Sequence, residues 1–217
     1  PAMSSYLPPL GPELGPQDQP HAVLSSQGLA PGTADSVVVL PFNDAAACIQ
    51  IIRAQAADLA AVIIDPLSTA AGLTLPQPGF LESLRDITAS LGILLIFDEV
   101  VSFRLSSGGT QGTYGITPDL TCLAKVIAGG TPGGAFGGRQ DVMSIYDPTE
   151  GPPGISQSGT YNGNPLVAVA GLATLRAMTP AAYTSLAQAT DLLGAQLQQT
   201  FLEAGIEASV VVAGSLF

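Results

Sequence analysis

The chain has little positive charge, few cysteines and no tryptophan, and the first two scarcities exclude classes of function. Its 217 residues include six lysines and arginines against seventeen aspartates and glutamates, which gives a formal net charge of −11. Nucleic acids and anionic membranes are bound through clustered basic side chains, so we expect neither partner. Cys48 and Cys122 are the two cysteines, and their wide spacing predicts neither a metal site nor a disulfide framework.

Long apolar runs are also missing. The N-terminal twenty residues lack the basic start and apolar core of a signal peptide. No apolar run approaches the roughly 20 residues that a membrane-crossing helix needs. Two thiols without a pairing pattern favour a reducing compartment. We therefore expect a cytoplasmic protein without a membrane partner.

What is present is a core-rich chain. Hydrophobic residues make up 47% of it and charged residues 11%, which is typical of a folded chain rather than a disordered one. The length fits one sizeable α/β domain, or one domain and part of another. Six prolines in the first twenty residues predict that 1–35 is an irregular segment. His21, the only histidine, lies there, and we expect it to be a solvated loop residue.

Apolar, β-branched runs alternate with helix-forming segments along the next part of the chain. Ser36–Leu40, Leu59–Ile64 and Ile93–Phe97 are predicted strands, and Ala45–Ala57 and Leu81–Ser90 are predicted helices. The strands show no alternation of polar and apolar residues, which favours burial on both faces. This order predicts an α/β fold with three layers, α/β/α, around a mainly parallel sheet.

The second half of the chain contains shorter strands and longer helices. The glycine-rich segment Ser106–Gly115 is predicted to be an irregular loop. Asn164 and Pro165 are typical of a helix start. The remaining predicted elements are a strand at Leu120–Lys125, helices at Asp141–Tyr146, Leu166–Met178 and Ala181–Glu203, and a final strand at Ala208–Val212. In the long helix, Leu186, Leu192, Leu193, Leu197 and Phe201 are predicted to face inward.

An aspartate and a lysine at the ends of predicted strands suggest a type of reaction. The apolar run Ile93–Phe97 ends on Asp98, and Lys125, the only lysine in the chain, ends the next predicted strand. Ligands of open α/β sheets bind beyond the carboxyl ends of the strands. The lysine could form a Schiff base with a carbonyl cofactor whose ring nitrogen pairs with the acid. The alternative is a surface lysine and a carboxylate that caps a helix or forms an ion pair.

A glycine-rich segment follows the lysine. Ile127–Gly138 has six glycines in twelve residues, but it contains no GxxxxGK[ST] pattern. One interpretation is a phosphate cradle, and the other is close backbone packing around the lysine.

The combination of motifs resembles a known family. The motifs are LLIFDEV at 94–100, PDLTCLAK at 118–125, SGT at 158–160 and NGNPL at 162–166. In these words and their order the chain resembles the class III pyridoxal-phosphate aminotransferases, and within them it is most similar to the glutamate-1-semialdehyde aminomutases. The resemblance extends from Ser36 to Phe217. It implies fold type I, with the large domain at 36–165 and the start of a small C-terminal α+β domain at 166–217.

The resemblance also implies roles for individual residues. Lys125 matches the Schiff-base lysine of pyridoxal 5′-phosphate, and Asp98 matches the carboxylate at the ring nitrogen. Val100 matches the residue packed against one face of the ring. Gly159 and Thr160 match a segment that reaches the phosphate of the neighbouring subunit's cofactor, which implies a homodimer with shared active sites. Glu99 is expected to be structural.

The function implied is amino-group transfer. We expect an aminotransferase or aminomutase that acts on a small amino acid or semialdehyde, with a small amino or keto compound as partner. The alternative is a truncated or non-catalytic homologue that acts as a dimerising or binding module; Ala70 and the missing phosphate loop favour it, whereas Asp98, Lys125 and Thr160 oppose it. Three departures from the family matter here. Ala70 stands where the family has an asparagine, the loop after Asp98 is one residue shorter, and the family's phosphate loop and most of its small domain have no counterpart.

Overall fold

Four strands and six α-helices form the main regular secondary structure of the described residues. The computed structural model describes residues 14–24, 28–30, 32–149 and 151–217, so part of the predicted irregular segment 1–35 lies outside the described residues. The strands are β1 (Ala61–Ile64), β2 (Leu94–Asp98), β3 (Leu120–Ala124) and β4 (Gly134–Gly138). The helices are α1 (Ala45–Ala54), α2 (Phe80–Leu91), α3 (Gly109–Tyr114), α4 (Gln140–Met143), α5 (Pro165–Ala177) and α6 (Pro180–Glu203).

Short 3-10 helices connect several of these elements. They comprise Ala34–Ser36, Thr69–Ala71, Ser102–Leu105, Lys125–Ala128 and Ser144–Tyr146. The contacts divide the chain into two units. The first comprises the described residues up to Ala61 together with Pro76–Ile93, and the second comprises Val62–Leu75 with Leu94–Phe217. The domain boundaries at 35 and 165 stay a prediction.

In the first unit, α1 and α2 pack against each other. Asp44 caps α1, because its carboxylate accepts a hydrogen bond from the Ala47 N–H at 2.9 Å. The rings of Phe42 and Phe80 meet edge to face with centroids 5.1 Å apart. Between the helices lies a buried apolar core formed by Cys48, Ile52, Phe80, Leu81, Leu84 and Ile87.

The second unit is built on the sheet, whose strand order is β1-β2-β3-β4. Strands β2 and β3 are parallel, with Asp98 opposite Cys122. Strand β4 returns antiparallel to β3, with Phe136 opposite Cys122. Leu95 and Phe97 of β2 are fully buried, in agreement with the predicted core strand.

Helices α5 and α6 follow the sheet in the same unit. Asn164 caps α5 through a 2.9 Å hydrogen bond from the Leu166 N–H, and Pro165 occupies its first turn, as predicted. Thr179 caps α6 by accepting from the Ala182 N–H at 3.2 Å. Both helices bury little of their surface within the described residues, and only Gly171 of α5 and Thr190 and Gly194 of α6 are buried.

Two predicted strands are wrong. Residues 37–40 follow a 3-10 helix and belong to no strand, and Val37 and Val38 are exposed. Ala208–Val212 is also irregular, and only the isolated bridge between Ala213 and Leu216 follows it. Both segments are rich in β-branched residues, but a strand forms only where a neighbouring strand accepts its hydrogen bonds.

Two further details of the prediction are corrected. The segment Ser106–Gly115, predicted to be irregular, contains helix α3. Leu192 and Leu193 of α6, predicted to face inward, are exposed because the helix is buried through Thr190 and Gly194 instead.

Within the described part of the chain, no single helix is both long and apolar enough to cross a membrane. Helices α5 and α6 meet those criteria only as a pair, and they are bent by 78° where they join.

Candidate active site

Asp98 is the last residue of β2 and lies at the carboxyl end of the sheet, as predicted. Its side chain is half-buried, and its Oδ1 accepts a hydrogen bond from the Val100 N–H at 3.0 Å. This local turn holds one carboxylate oxygen in place at the end of the strand. Val100 is also half-buried and begins the connection to the next helical turn.

Cys122 is the neighbour of Asp98 on β3. Burial, and then the negative charge of Asp98, raise the pKa of the Cys122 thiol. The thiol therefore stays neutral near pH 7, and Asp98 has a neutral group beside it rather than a second negative charge.

Lys125 follows β3 directly and begins the 3-10 helix Lys125–Ala128, here named the lysine turn. Its φ angle is +50°, which is uncommon for a residue with a side chain, although Asn43, Ser68 and Leu73 of this chain share a positive φ. The side chain is exposed. Strand β3 ends at Ala124, directly before Lys125, and Asp98 ends the adjacent parallel strand β2. A carboxylate and an amine therefore both stand at the carboxyl ends of neighbouring strands, on the same edge of the sheet.

Glu99 has a different role from its neighbour Asp98. Its side chain is fully buried and accepts hydrogen bonds from the backbone N–H groups of Thr110 (2.5 Å) and Gln111 (3.0 Å) at the start of α3. The Gln111 side-chain amide donates to it as well, at 3.1 Å, and also to the Thr121 hydroxyl at 3.2 Å. Glu99 thus ties β2 to α3 and β3, which agrees with the structural role expected for it.

Sequence reasoning missed α3, although a signal was present. A carboxylate satisfies the free N–H groups of a helix N-terminus. Gly109 has a φ of +67°, and a Cβ there would overlap the Glu99 carboxylate. A buried acid followed about ten residues later by a glycine and two polar residues is the pattern that marks this cap.

The glycines after the lysine serve close packing. Gly129 has a φ of +61°, and a Cβ there would overlap the carbonyl of Ala170 in α5. A Cβ on Gly133 would lie 2.5 Å from the Val167 side chain. Of the two interpretations of this segment, these contacts support backbone packing around the lysine.

The loop after β1 also has a carboxylate at the end of a strand. The Asp65 carboxylate accepts hydrogen bonds from the N–H groups of Leu67 (3.1 Å) and Thr69 (2.8 Å) and from the Thr69 hydroxyl (2.5 Å). Its oxygens therefore organise their own loop. Ala70 lies in the following 3-10 helix and is exposed.

Gly159 and Thr160 lie in the exposed loop before α5. The Gly159 carbonyl accepts from the Asn162 N–H at 3.0 Å and closes a turn there. Among the described residues, no hydrogen bond joins this loop to Asp98 or Lys125. The structure therefore brings Asp98, Val100 and Lys125 to one edge of the sheet and leaves Gly159 and Thr160 on a separate surface loop.

Comparison with known proteins places the chain in a family. Residues 29–213 match the sequence model described as Aminotransferase class-III. The chain is 44% identical over 196 residues to the glutamate-1-semialdehyde 2,1-aminomutase of Desulforudis audaxviator, covering 89% of this chain and 45% of that protein. It thus spans about half the length of the curated relatives it matches.

Solved structures agree. An omega-transaminase from Sphaerobacter thermophilus is 45% identical, with a TM-score of 0.88, over 92% of this chain and 46% of that one. A transaminase with PLP bound is 36% identical, with a TM-score of 0.85, over 89% of this chain and 45% of that one. The fold is therefore the α/β fold of the fold type I transaminases, as predicted. The chain belongs to the class III aminotransferases, a family of pyridoxal-phosphate-dependent enzymes.

Proposed function

We propose that this chain binds pyridoxal 5′-phosphate through Asp98 and Lys125 and takes part in amino-group transfer. The observation that carries the proposal is their placement at the carboxyl ends of the adjacent parallel strands β2 and β3. One of them is a half-buried carboxylate with an oriented oxygen, and the other is the only lysine of the chain.

The residues at this edge fit the cofactor by their chemistry. When bound, pyridoxal phosphate supplies an electron sink for a carbanion next to nitrogen. The Asp98 carboxylate would keep the proton on the pyridine nitrogen, and the neutral Cys122 beside it adds no competing charge. Val100 would pack against one face of the ring. The Lys125 amine would hold the cofactor as a Schiff base and, once a substrate amine displaces it, would move the proton between the two carbons that flank the imine nitrogen.

The substrate class follows from the relatives. The aminomutase of D. audaxviator and the omega-transaminase of S. thermophilus are about equally similar to this chain. We infer a small amino acid or semialdehyde as substrate. Product analysis with and without an added keto acid separates the two reactions, because an aminotransferase needs the keto acid as acceptor and an aminomutase does not.

The alternative of a non-catalytic dimerising or binding module is not favoured. The relatives are enzymes, and Asp98 and Lys125 are both present at the sheet edge. A cytoplasmic location stays a prediction from the composition.

Titration with pyridoxal phosphate tests the proposal. The wild-type chain should develop an absorbance band in the violet that comes from the Schiff base between Lys125 and the cofactor and is here called the violet band. Lys125→Ala should abolish this band. Asp98→Asn should keep Lys125 but weaken binding and shift the band, since the ring nitrogen loses its anionic partner. Asp86→Asn, a substitution of the same kind on α2, is the control and should bind as the wild type does. A band of wild-type strength in Lys125→Ala would refute the assignment.

We further propose a homodimer in which Gly159 and Thr160 reach the partner subunit's cofactor phosphate. Two features of this chain support it. The Thr160 loop is exposed, and it continues into an apolar face of α5 that is exposed as well. This face comprises Leu166, Val169 and Leu172, and the exposed Tyr161 lies in the loop before it. Exposed apolar patches of this kind mark association surfaces.

Subunit mixing tests the shared site. Thr160→Ala alone should weaken cofactor binding about tenfold or more, through loss of a charge-assisted hydrogen bond. After Thr160→Ala and Lys125→Ala chains are mixed, half of the dimers are hybrids, and each hybrid has one intact site. At low cofactor concentration the violet band should then return to about a quarter of its wild-type amplitude. No recovery would mean that Thr160 does not serve the partner subunit.

A further inference from the structure

The lysine turn is anchored at one end and carries Lys125 at the other. Ala128, its last residue, is buried, whereas Lys125 is exposed. The Gly129 N–H donates to the Val126 carbonyl at 3.2 Å, and the Thr131 hydroxyl donates to the Ala128 carbonyl at 2.6 Å. The position of the lysine therefore depends on what the buried end rests against.

The buried end rests on the backbone of α5. A Cβ on Gly171 of α5 would overlap the carbonyl oxygen of Ile127 in the turn. In the opposite direction, a Cβ on Gly129 would overlap the carbonyl of Ala170 and lie 2.9 Å from the Gly171 nitrogen. Two main chains touch here with no side chain between them. A main-chain contact cannot adapt by changing a rotamer, so the distance between turn and helix is set by the absence of both Cβ atoms.

The rest of α5 is shaped for this contact. Its less exposed face is a line of small or slender residues, Val167, Ala170, Gly171 and Thr174, at the spacing of one helix face. Gly133, after the turn, approaches Val167 so closely that a Cβ there would lie 2.5 Å from the Val167 Cγ1 atom. The opposite face of α5 is exposed, so this narrow face is what holds the helix and the turn together.

We propose that Gly171 is a positioning residue for Lys125: its contact with Gly129 sets the height of the lysine turn above the sheet edge. That this height matters for binding the cofactor rests on the proposed function, whereas the contact between Gly171 and the lysine turn does not. A Cβ at 171 would require the turn or the helix to move by about 1 Å, since non-bonded carbon and oxygen atoms cannot overlap. A misplacement of this size at a reacting group costs on the order of a hundredfold in reactivity.

The single lysine provides a direct observation of the turn. Chain labelled with ¹⁵N-lysine gives one backbone amide signal, that of Lys125, without any cofactor. Gly171→Ala should shift or broaden this signal. Gly194→Ala is the matched control, because it is also a buried glycine inside a helix of the same unit, and its Cβ would meet the Val212 side chain at 2.6 Å. The control should leave the lysine signal unchanged.

Binding of pyridoxal phosphate is the second readout. Gly171→Ala should lower the equilibrium constant for the lysine-dependent violet band by about ten- to a hundredfold, and Gly194→Ala should not. Gly133→Ala disturbs the same contact through a side chain, so it remains informative if Gly171→Ala does not fold. Its defect should be relieved in large part by adding Val167→Ala, which removes the Cγ1 atom that the new Cβ would meet at 2.5 Å.

The outcomes are distinct. An unchanged lysine signal in Gly171→Ala, equal effects of Gly171→Ala and Gly194→Ala, or no relief by Val167→Ala would each overturn the inference. A displaced signal in Gly171→Ala, with no violet band even in the wild-type chain, would support the positioning contact while refuting the proposed function.

Discussion

At the scale of single residues, two adjacent carboxylates have separate roles because their surroundings differ. Asp98 is half-buried, with one oxygen held by the Val100 N–H. Glu99 is fully buried, and both of its oxygens are occupied by N–H groups of Thr110 and Gln111. Side chains alternate across a strand, so neighbours in sequence face opposite sides of the sheet. One carboxylate is therefore available to a ligand, and the other holds a helix.

Replacing Glu99 by glutamine should destabilise the fold. Glutamine has the same size, but it turns one acceptor into an NH₂ group that faces N–H donors. We expect Glu99→Gln to lower the free energy of unfolding by about 2–3 kcal/mol, as for a buried charge-assisted hydrogen bond. Chemical denaturation measures it, with Glu82→Gln on the exposed side of α2 as control. A Glu99→Gln variant as stable as the control would contradict the role given to this residue.

Cys48 predicts a dependence of stability on alkaline pH. Burial, followed by the charge of Asp44, raises the pKa of its thiol from 9.0 to about 12. The native state therefore keeps the proton where the unfolded state loses it. The stabilisation is fully present below pH 9 and is lost as the pH rises towards 12.

Urea denaturation between pH 8 and pH 10.5 measures this effect. Above pH 9 the free energy of unfolding should fall with a slope approaching about 1.4 kcal/mol per pH unit from this group. Cys48→Ala should reduce the slope even though it lowers the overall stability. An unchanged slope in that variant would show that Cys48 titrates normally in the native chain.

At the scale of secondary-structure elements, those whose signal lies in their own residues were predictable, and those that depend on a partner elsewhere in the chain were not. Strand β2 was predicted within one residue at each end, because a branched apolar run bounded by Gly92 and Asp98 has few other solutions. Residues 37–40 have the same composition but no partner strand. Helix α3 depends on a cap supplied by Glu99, ten residues before it. Periodicity within a segment cannot reveal a partner that lies elsewhere in the chain.

The candidate site likewise has some features that the sequence predicts and others that it does not. The strand-end position of Asp98 and the singular Lys125 could be read from the sequence. The positive φ of Lys125 and the close approach of Gly171 to its turn could not, because the turn meets α5, which lies about forty residues further along. The roles of Val100, Gly159 and Thr160 came from family resemblance alone.

Asp119 joins three strands and should be critical for the sheet. Its carboxylate accepts from the Leu95 N–H of β2 at 2.7 Å and from Arg139, after β4, at 2.8 Å. Asp119→Ala leaves the buried Leu95 N–H without this acceptor, so it should cost about 2–3 kcal/mol. Arg139→Ala should cost clearly less, because the Arg139 side chain is 52% exposed against 5% for Asp119. Thermal unfolding compares the two variants, and equal losses would contradict the argument.

At the scale of the whole molecule, the chain spans about half the length of its relatives and contains the edge of the sheet that bears Asp98 and Lys125. Helix α5 links two functions in this part. Its small-residue face supports the lysine turn, and its N-terminus continues from the loop that bears Thr160. Its outer face is apolar and exposed, which supports the proposed association with a second copy.

The most direct test of the central claim is chemical trapping at Lys125. The chain is incubated with pyridoxal phosphate, reduced with borohydride, digested and examined by mass spectrometry. We expect a single modified peptide with the added mass on Lys125, and weaker labelling in Asp98→Asn at limiting cofactor. Because the chain has no other lysine, no other side chain can form this adduct. A wild-type chain in which Lys125 stays unmodified would contradict the assignment of Lys125 as the Schiff-base lysine.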